Sequence, residues 1–231
     1  MIKIENLKFK YPTSSQLILD IPKFQMKKGE KIFLYGPSGC GKTTFLEVLA
    51  GINSPLEGIV EISDCDVTKM SASEKDQFRA DQMGYIFQSF NLIPYLNVQE
   101  NITLPLYFSS KKRTRVSAAN ENKKTTEICK LLGIEPYLTQ PVTELSVGQQ
   151  QRVAAARAII GQPSLILADE PTSALDFNHR EKFIKLLFAL CNQHQTSVLF
   201  VSHDRTLEKL FDRSLSLHEI NISSKVDEDA L

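Results

Sequence analysis

Through the first 30 residues apolar positions alternate with polar ones: Ile2, Ile4, Leu7 and Phe9, then Leu17, Leu19 and Ile21. A period of two predicts strands, broken at Tyr11-Pro12 and closed at Lys28-Gly29, and so an antiparallel sheet at the N-terminus. Beyond residue 30 the pattern changes. Short apolar runs at 31–35, 164–168 and 197–201 read as strands buried on both faces, with further strands at 58–62 and 84–87. Between them lie helical patterns. One starts after residue 44 and stops at Gly51. Ser71 with Glu74 has capping-box spacing for another. A third runs from a Ser146 cap to Gly161, and a fourth places Phe183, Leu186, Leu187 and Leu190 on one face.

Strands alternating with helices predict an α/β fold whose mostly parallel sheet is covered on both faces. Pro94 and Pro105 interrupt the stretch after residue 88, so it is not expected to form one long helix. Residues 109–124 hold Lys111, Lys112, Arg113, Arg115, Lys123 and Lys124 among small polar residues, and predict an exposed basic loop and helix start. That basic face suits either plain solvation or contact with lipid headgroups or a partner. Ile128, Leu131 and Leu132 then share one side of a helix ending at Gly133. The tail from Ser223, with its acidic residues at 227–229, reads as frayed.

Composition narrows the classes. Lys plus Arg equals Asp plus Glu, 27 of each in 231 residues, so no net field favours nucleic acid. No apolar run reaches the 18 residues that a membrane span needs, which predicts a cytosolic chain or one that meets a membrane through a partner. Cys40, Cys65, Cys129 and Cys191 are far apart, without a C-x-x-C pair, and read as free thiols.

The sharpest signal follows the strand at 31–35. Gly36, Pro37, Ser38, Gly39, Cys40, Gly41, Lys42, Thr43 and Thr44 fit G-x-x-x-x-G-K-[ST] between a strand and a helix. Backbone N–H groups of such a turn point into one concavity at a helix N-terminus, which suits the α- and β-phosphates of a nucleotide. Lys42 is expected to reach the β/γ-phosphates and Thr43 to hold Mg²⁺. Cys40, beside Lys42 and a helix N-terminus, is either a thiol shifted toward thiolate or an inert filler of a tight loop. Tyr11 offers a face for adenine to stack on. Asp169 ends an apolar strand, as a Mg²⁺-holding carboxylate does, and Glu170 beside it is placed to polarise water against the γ-phosphate. Gly36, Gln88, Asp169 and His203 all fall just past strand ends, where open α/β sheets bind ligands.

Residues 145–152, Leu-Ser-Val-Gly-Gln-Gln-Gln-Arg, resemble the signature motif of the ATP-binding cassette (ABC) ATPases. Residues 167–176, Leu-Ala-Asp-Glu-Pro-Thr-Ser-Ala-Leu-Asp, resemble the family's Walker B strand and D-loop, with Asp176 last. The resemblance covers nearly the whole chain. It implies a RecA-like core of residues 1–88 and 162–231, including the antiparallel β part, and an inserted helical signature subdomain at 89–161. It implies Gln88 as the Q-loop glutamine near Mg²⁺, His203 as the switch histidine, and Tyr11 as the adenine-stacking aromatic. Ser146, Gly148 and Gln149 would meet the ATP held by a second, head-to-tail subunit. Residues 83–94 and 97–106 resemble the lipoprotein-release and macrolide-export (LolD/MacB-like) subgroup, which implies a few-helix permease with a large extracytoplasmic domain, met at the cytoplasmic face of the membrane. Importer and cell-division ATPases, and soluble ABC proteins, remain alternatives. Two departures stand out. Val147 replaces the usual signature glycine, and the chain after Arg213 lacks the usual Gly-bearing hairpin.

Overall fold

A computed structural model describes residues 1–173, 175 and 177–225; Asp176 and the acidic tail at 227–229 lie outside the described residues. In chain order the elements are β1 (Ile2–Phe9), β2 (Leu19–Met26), β3 (Lys31–Tyr35), α1 (Lys42–Leu49), β4 (Glu57–Ile62), β5 (Cys65–Asp66), α2 (Ala72–Gln82) and β6 (Met83–Ile86). Then come α3 (Val98–Phe108), α4 (Ser110–Val116), α5 (Glu121–Leu132), α6 (Val147–Ile159), β7 (Leu165–Asp169), α7 (Phe177–Asn192), β8 (Ser197–Val201), β9 (Arg213–Ser216) and α8 (Leu217–Ile220).

Two sheets divide the strands. The N-terminal pattern gives an antiparallel sheet in the order β2-β1-β4-β5. Its alternation skips a residue between Ile4 and Leu7, and the ladder to β4 shifts register there, with Asn6 at φ 52°. Gly58 lies across from this irregularity at φ 96°, and a Cβ on it would sit 2.4 Å from the Asn6 carbonyl oxygen. Only glycine fits there.

The second sheet runs β6-β7-β8-β3-β9, parallel throughout. Its central strands β3, β7 and β8 are apolar on both faces because both are covered, whereas the edge strand β9 is largely polar. Ile32, Leu34, Leu165, Leu167, Leu199 and Val201 join the core around α1 and the antiparallel sheet. Phe33, Ile166, Ala168, Val198 and Phe200 join a second core with α3, α5, α6 and α7. At β6 the packing is backbone against backbone: a Cβ on Gly84 would lie 2.2 Å from the Ala158 carbonyl oxygen of α6.

As expected, the stretch after residue 88 is not one long helix, since α3 begins only at Val98. Several other expectations need correction. Pro105 does not interrupt α3, which continues through it. Asn97 and Glu100 cap it reciprocally, and Val98, Ile102 and Leu106 are buried, so packing outweighs the one backbone bond that proline removes. The basic stretch is neither a loop nor merely solvated. It forms α4 and opens α5. Lys112 is buried and gives its Nζ to the Met83 carbonyl at 2.6 Å, while Arg115 reaches the carbonyls of Asp81, Gly161 and Gln162. Buried Asp81 accepts from Ser109 and Gln77 and pairs with Lys111. Burial, with the Arg115 charge, pulls the Lys112 ammonium down to about 8. Leu131 is exposed, and Cys129 takes the inward position instead. Ser223 is held by hydrogen bonds in a 3₁₀ turn, Ile222–Lys225, so order extends past the point where fraying is expected. None of the described helices is long and apolar enough to cross a membrane.

Candidate functional site

A cleft of about 410 Å³ opens at the C-terminal edge of the parallel sheet. Strand β3 feeds the loop 36–41, where Gly39 at φ 81° and Gly41 at φ 95° adopt backbone that a side chain would strain. Helix α1 starts at Lys42 with neither a side-chain cap nor an acidic residue in its first turn, so its leading amides stay available to an anion. Lys42 Nζ folds back onto the carbonyls of Gly36 (2.9 Å) and Pro37 (2.8 Å), placing an ammonium in the centre of the loop. Ser38, Thr43 and Thr44 line the cleft beside it.

Cys40 turns its sulfur toward Gly36, 2.7 Å from where a Cβ there would be. Burial pushes this thiol above its ordinary range, against the downward pull of Lys42 and the loop amides. Desolvation wins, which favours the inert-filler reading of Cys40 over the thiolate one. In a Cys65→Ser background, iodoacetamide is expected to modify Cys40 more slowly than a free cysteine. The adduct, having no room in the loop, should abolish ATP binding, and bound ATP should protect the thiol. Full ATPase activity in a protein of confirmed adduct mass would refute this.

Two carboxylates at the end of β7, two strands from β3 in the sheet, face the loop. Asp169 is the last residue of β7, as the apolar run ending in an aspartate predicts, and accepts from the Thr43 hydroxyl at 2.8 Å. It is 8% exposed, and burial raises its pKa, aided by the Glu170 charge and opposed by the Thr43 bond. Glu170 sits at φ 44°, held by its N–H to the Val201 carbonyl. That unusual backbone turns its carboxylate to His203, whose Nδ1 is 3.0 Å from Oε2. Gln88, two residues beyond β6, lines the same cleft. Tyr11 stands at the far wall with its hydroxyl 3.0 Å from Thr44 Oγ1 and its ring edge-on to Phe9.

The signature residues lie elsewhere. Ser146 caps α6 in a reciprocal box with Gln149, Val147 is half exposed, and Gly148 lies near Leu175; none lines the cleft. Two residues that pattern reasoning missed do matter to the site. Ile18 lines the cleft, though nothing distinguishes it in an alternating strand. Gln151, fully buried, gives its Nε2 to the Pro171 carbonyl at 2.6 Å, which ties α6 to the peptide after Glu170. Its neighbours in a Gln-rich run gave no hint that this one points inward.

Residues 19–173 match the family described as ABC transporter. The chain is 36% identical over 222 residues to the uncharacterized ABC transporter ATP-binding protein MJ0796 of Methanocaldococcus jannaschii, covering 95% of this chain and 94% of that one. It is 34% identical over 198 residues to the lipoprotein-releasing system ATP-binding protein LolD of Bacteroides fragilis, covering 86% and 89%. A dimeric post-hydrolysis structure of MJ0796 bound to ADP and Pi superposes with a TM-score of 0.83 at 34% identity, over 97% of this chain and 95% of that one. A phosphate loop facing an Asp-Glu strand end is what an ATP-hydrolysing cassette requires, and by these likenesses the chain belongs to the ABC transporter family, as an ATP-binding subunit with ATPase activity.

Proposed function

We propose that this subunit drives a membrane permease of the lipoprotein-release and macrolide-export mechanical type, working as a head-to-tail pair from the cytoplasmic face. One observation carries the catalytic part: Thr43 bonded to Asp169, and Glu170 held by His203 from outside, line one cleft beside Lys42. Lys42 and the loop from Gly36 to Thr44 hold the phosphates, and Tyr11 takes the adenine. Glu170 accepts the proton of the attacking water, and His203 steadies both Glu170 and the γ-phosphate. The site suits Mg²⁺ because a hydroxyl, a desolvated carboxylate and an amide, at Thr43, Asp169 and Gln88, leave room for phosphate oxygens. When bound, the ion would neutralise charge on the β- and γ-phosphates.

Ser146, Gly148 and Gln149 would serve the partner's ATP, since they lie outside their own chain's cleft. The division into a core of 1–88 and 162–231 and a helical part at 89–161 follows from this reading. Closure on two ATPs then moves the helical part relative to the permease. A groove of about 600 Å³, lined by Phe87, Leu104, Pro105 and Phe108, begins one residue from Gln88 and suits an apolar segment of that permease. Likeness to LolD supports the mechanical type.

Tagged protein purified from detergent-solubilised membranes should bring down an integral protein with few spans and a large extracytoplasmic domain, identified by mass spectrometry. A many-helix permease in its place would refute the subgroup reading and leave the ATPase intact.

A further inference from the structure

The chain after β9 departs from the expected hairpin, and its actual course reaches the back of the phosphate loop and the backbone of the wall beside the cleft. Helix α8 puts Leu217, fully buried, behind the phosphate loop, 3.8 Å from where a Cβ on Gly36 would lie. Asn221, 1% exposed, follows it. Its Oδ1 accepts from the Asp20 N–H at 2.7 Å and its Nδ2 donates to the Ile18 carbonyl at 2.9 Å. Ser223 Oγ donates to the same Ile18 carbonyl at 3.0 Å. Ile18 is also fixed from the other side, its N–H going to the Phe9 carbonyl at 2.9 Å.

These bonds fall at a strategic place. Phe9 and Ile18 close the base of the loop that carries Tyr11, and Ile18 itself lines the cleft. Gly41 packs directly on Ile18 and Leu19, with Ile18 Cγ2 3.1 Å from where its Cβ would be. One buried amide therefore fixes the wall against which the phosphate loop turns and from which Tyr11 projects. A buried amide whose donor and acceptor are both paired holds its neighbours in one geometry, because leaving either unpaired is costly.

We propose that Asn221, with Ser223, is a positioning residue for nucleotide binding, in which the C-terminal segment clamps Ile18 and Asp20 and so shapes the Tyr11 side of the cleft. The clamp rests on the reading of that cleft as the ATP site. Its bonds to Ile18 and Asp20 fall on the Tyr11 side of the cleft, away from Glu170 and His203, so it acts on affinity and leaves the chemical step alone.

The full-length wild type, Asn221→Ala and Ser223→Ala are titrated with Mg-ATP by calorimetry, and KM and kcat are measured on the same preparations, with thermal melts to check folding. Asn221→Ala should raise Kd and KM about tenfold and keep kcat within about twofold, the scale of a lost buried hydrogen-bond pair. Ser223→Ala, a milder change, should raise Kd about two- to threefold. Unchanged Kd in a folded Asn221→Ala overturns the inference, as does a fall in kcat with KM unchanged. Should Asn221→Ala fail to fold, Ser223→Ala decides, and an unchanged Kd there overturns the clamp. Wild type that does not bind Mg-ATP would instead overturn the reading of the cleft itself.

Discussion

Glu170→Gln is expected to bind ATP as tightly as wild type and to turn it over about 10²–10⁴-fold more slowly, the range for removing a general base, or about 3–5 kcal/mol of barrier. The amide is isosteric and keeps an oxygen or nitrogen within reach of His203 Nδ1, now 3.0 Å from Oε2, so the pocket is preserved while the proton acceptor is lost. Unhydrolysed ATP should then hold two chains together, visible as an ATP-dependent dimer by size-exclusion chromatography with light scattering. Single-turnover rates within a few-fold of wild type would remove Glu170 from the role proposed for it.

The second large effect concerns which chain completes the site. Lys42→Ala and Ser146→Arg homodimers should each be nearly inactive, because both of their sites carry a lesion. When the two variants are mixed, a trans arrangement gives heterodimers in which one site has both lesions and the other has neither. Equal mixing makes half the dimers of this kind, so independent sites would recover about a quarter of wild-type turnover. If hydrolysis requires both sites together, recovery appears instead as ATP-dependent dimerisation or occlusion of one nucleotide. Ser146 caps α6, so its loss also costs that helix about 1 kcal/mol, and melting curves must show the variant folded. Folded heterodimers that restore no intact site would refute the trans role of Ser146, Gly148 and Gln149.

Where one local signal determines an element, sequence reading found it. Alternation located β1 and β2, buried runs located β3, β7 and β8, and the Ser71 box and the Ser146 cap opened α2 and α6 as they should. The glycine pattern and the Asp169-Glu170 strand end were legible because phosphate chemistry constrains residue type at fixed spacing. Misreadings arose where long-range packing overrides local preference. Nothing near Lys112 reveals that Met83, 29 residues earlier, offers it a buried carbonyl. Proline in α3 looked like a stop because its cost is local, while the burial of Ile102 and Leu106 that offsets it is not. Desolvation of Cys40 depends on how closely the loop folds over its sulfur. Asn221 pairs with a strand 201 residues away, beyond any window of sequence.

The position of β3 has a bearing on how the protein is made. This strand, from which the phosphate loop springs, is paired on one side with β8 and on the other with β9, both near the end of the chain. Until Ser197–Val201 has left the ribosome, β3 has no neighbour in its sheet, and the loop after it has no frame. At synthesis speeds of about 5–20 residues per second, the interval from Tyr35 to Ser197 lasts roughly ten to thirty seconds. During that time an apolar strand waits unpaired, open to chaperones and to misassociation, and closing so long a loop late makes folding slow. ATP therefore cannot act as an early template for this chain. Ribosome-stalled products ending before residue 197 should be degraded quickly and bind no nucleotide, so quality control would discard incomplete chains before any of them reached a permease.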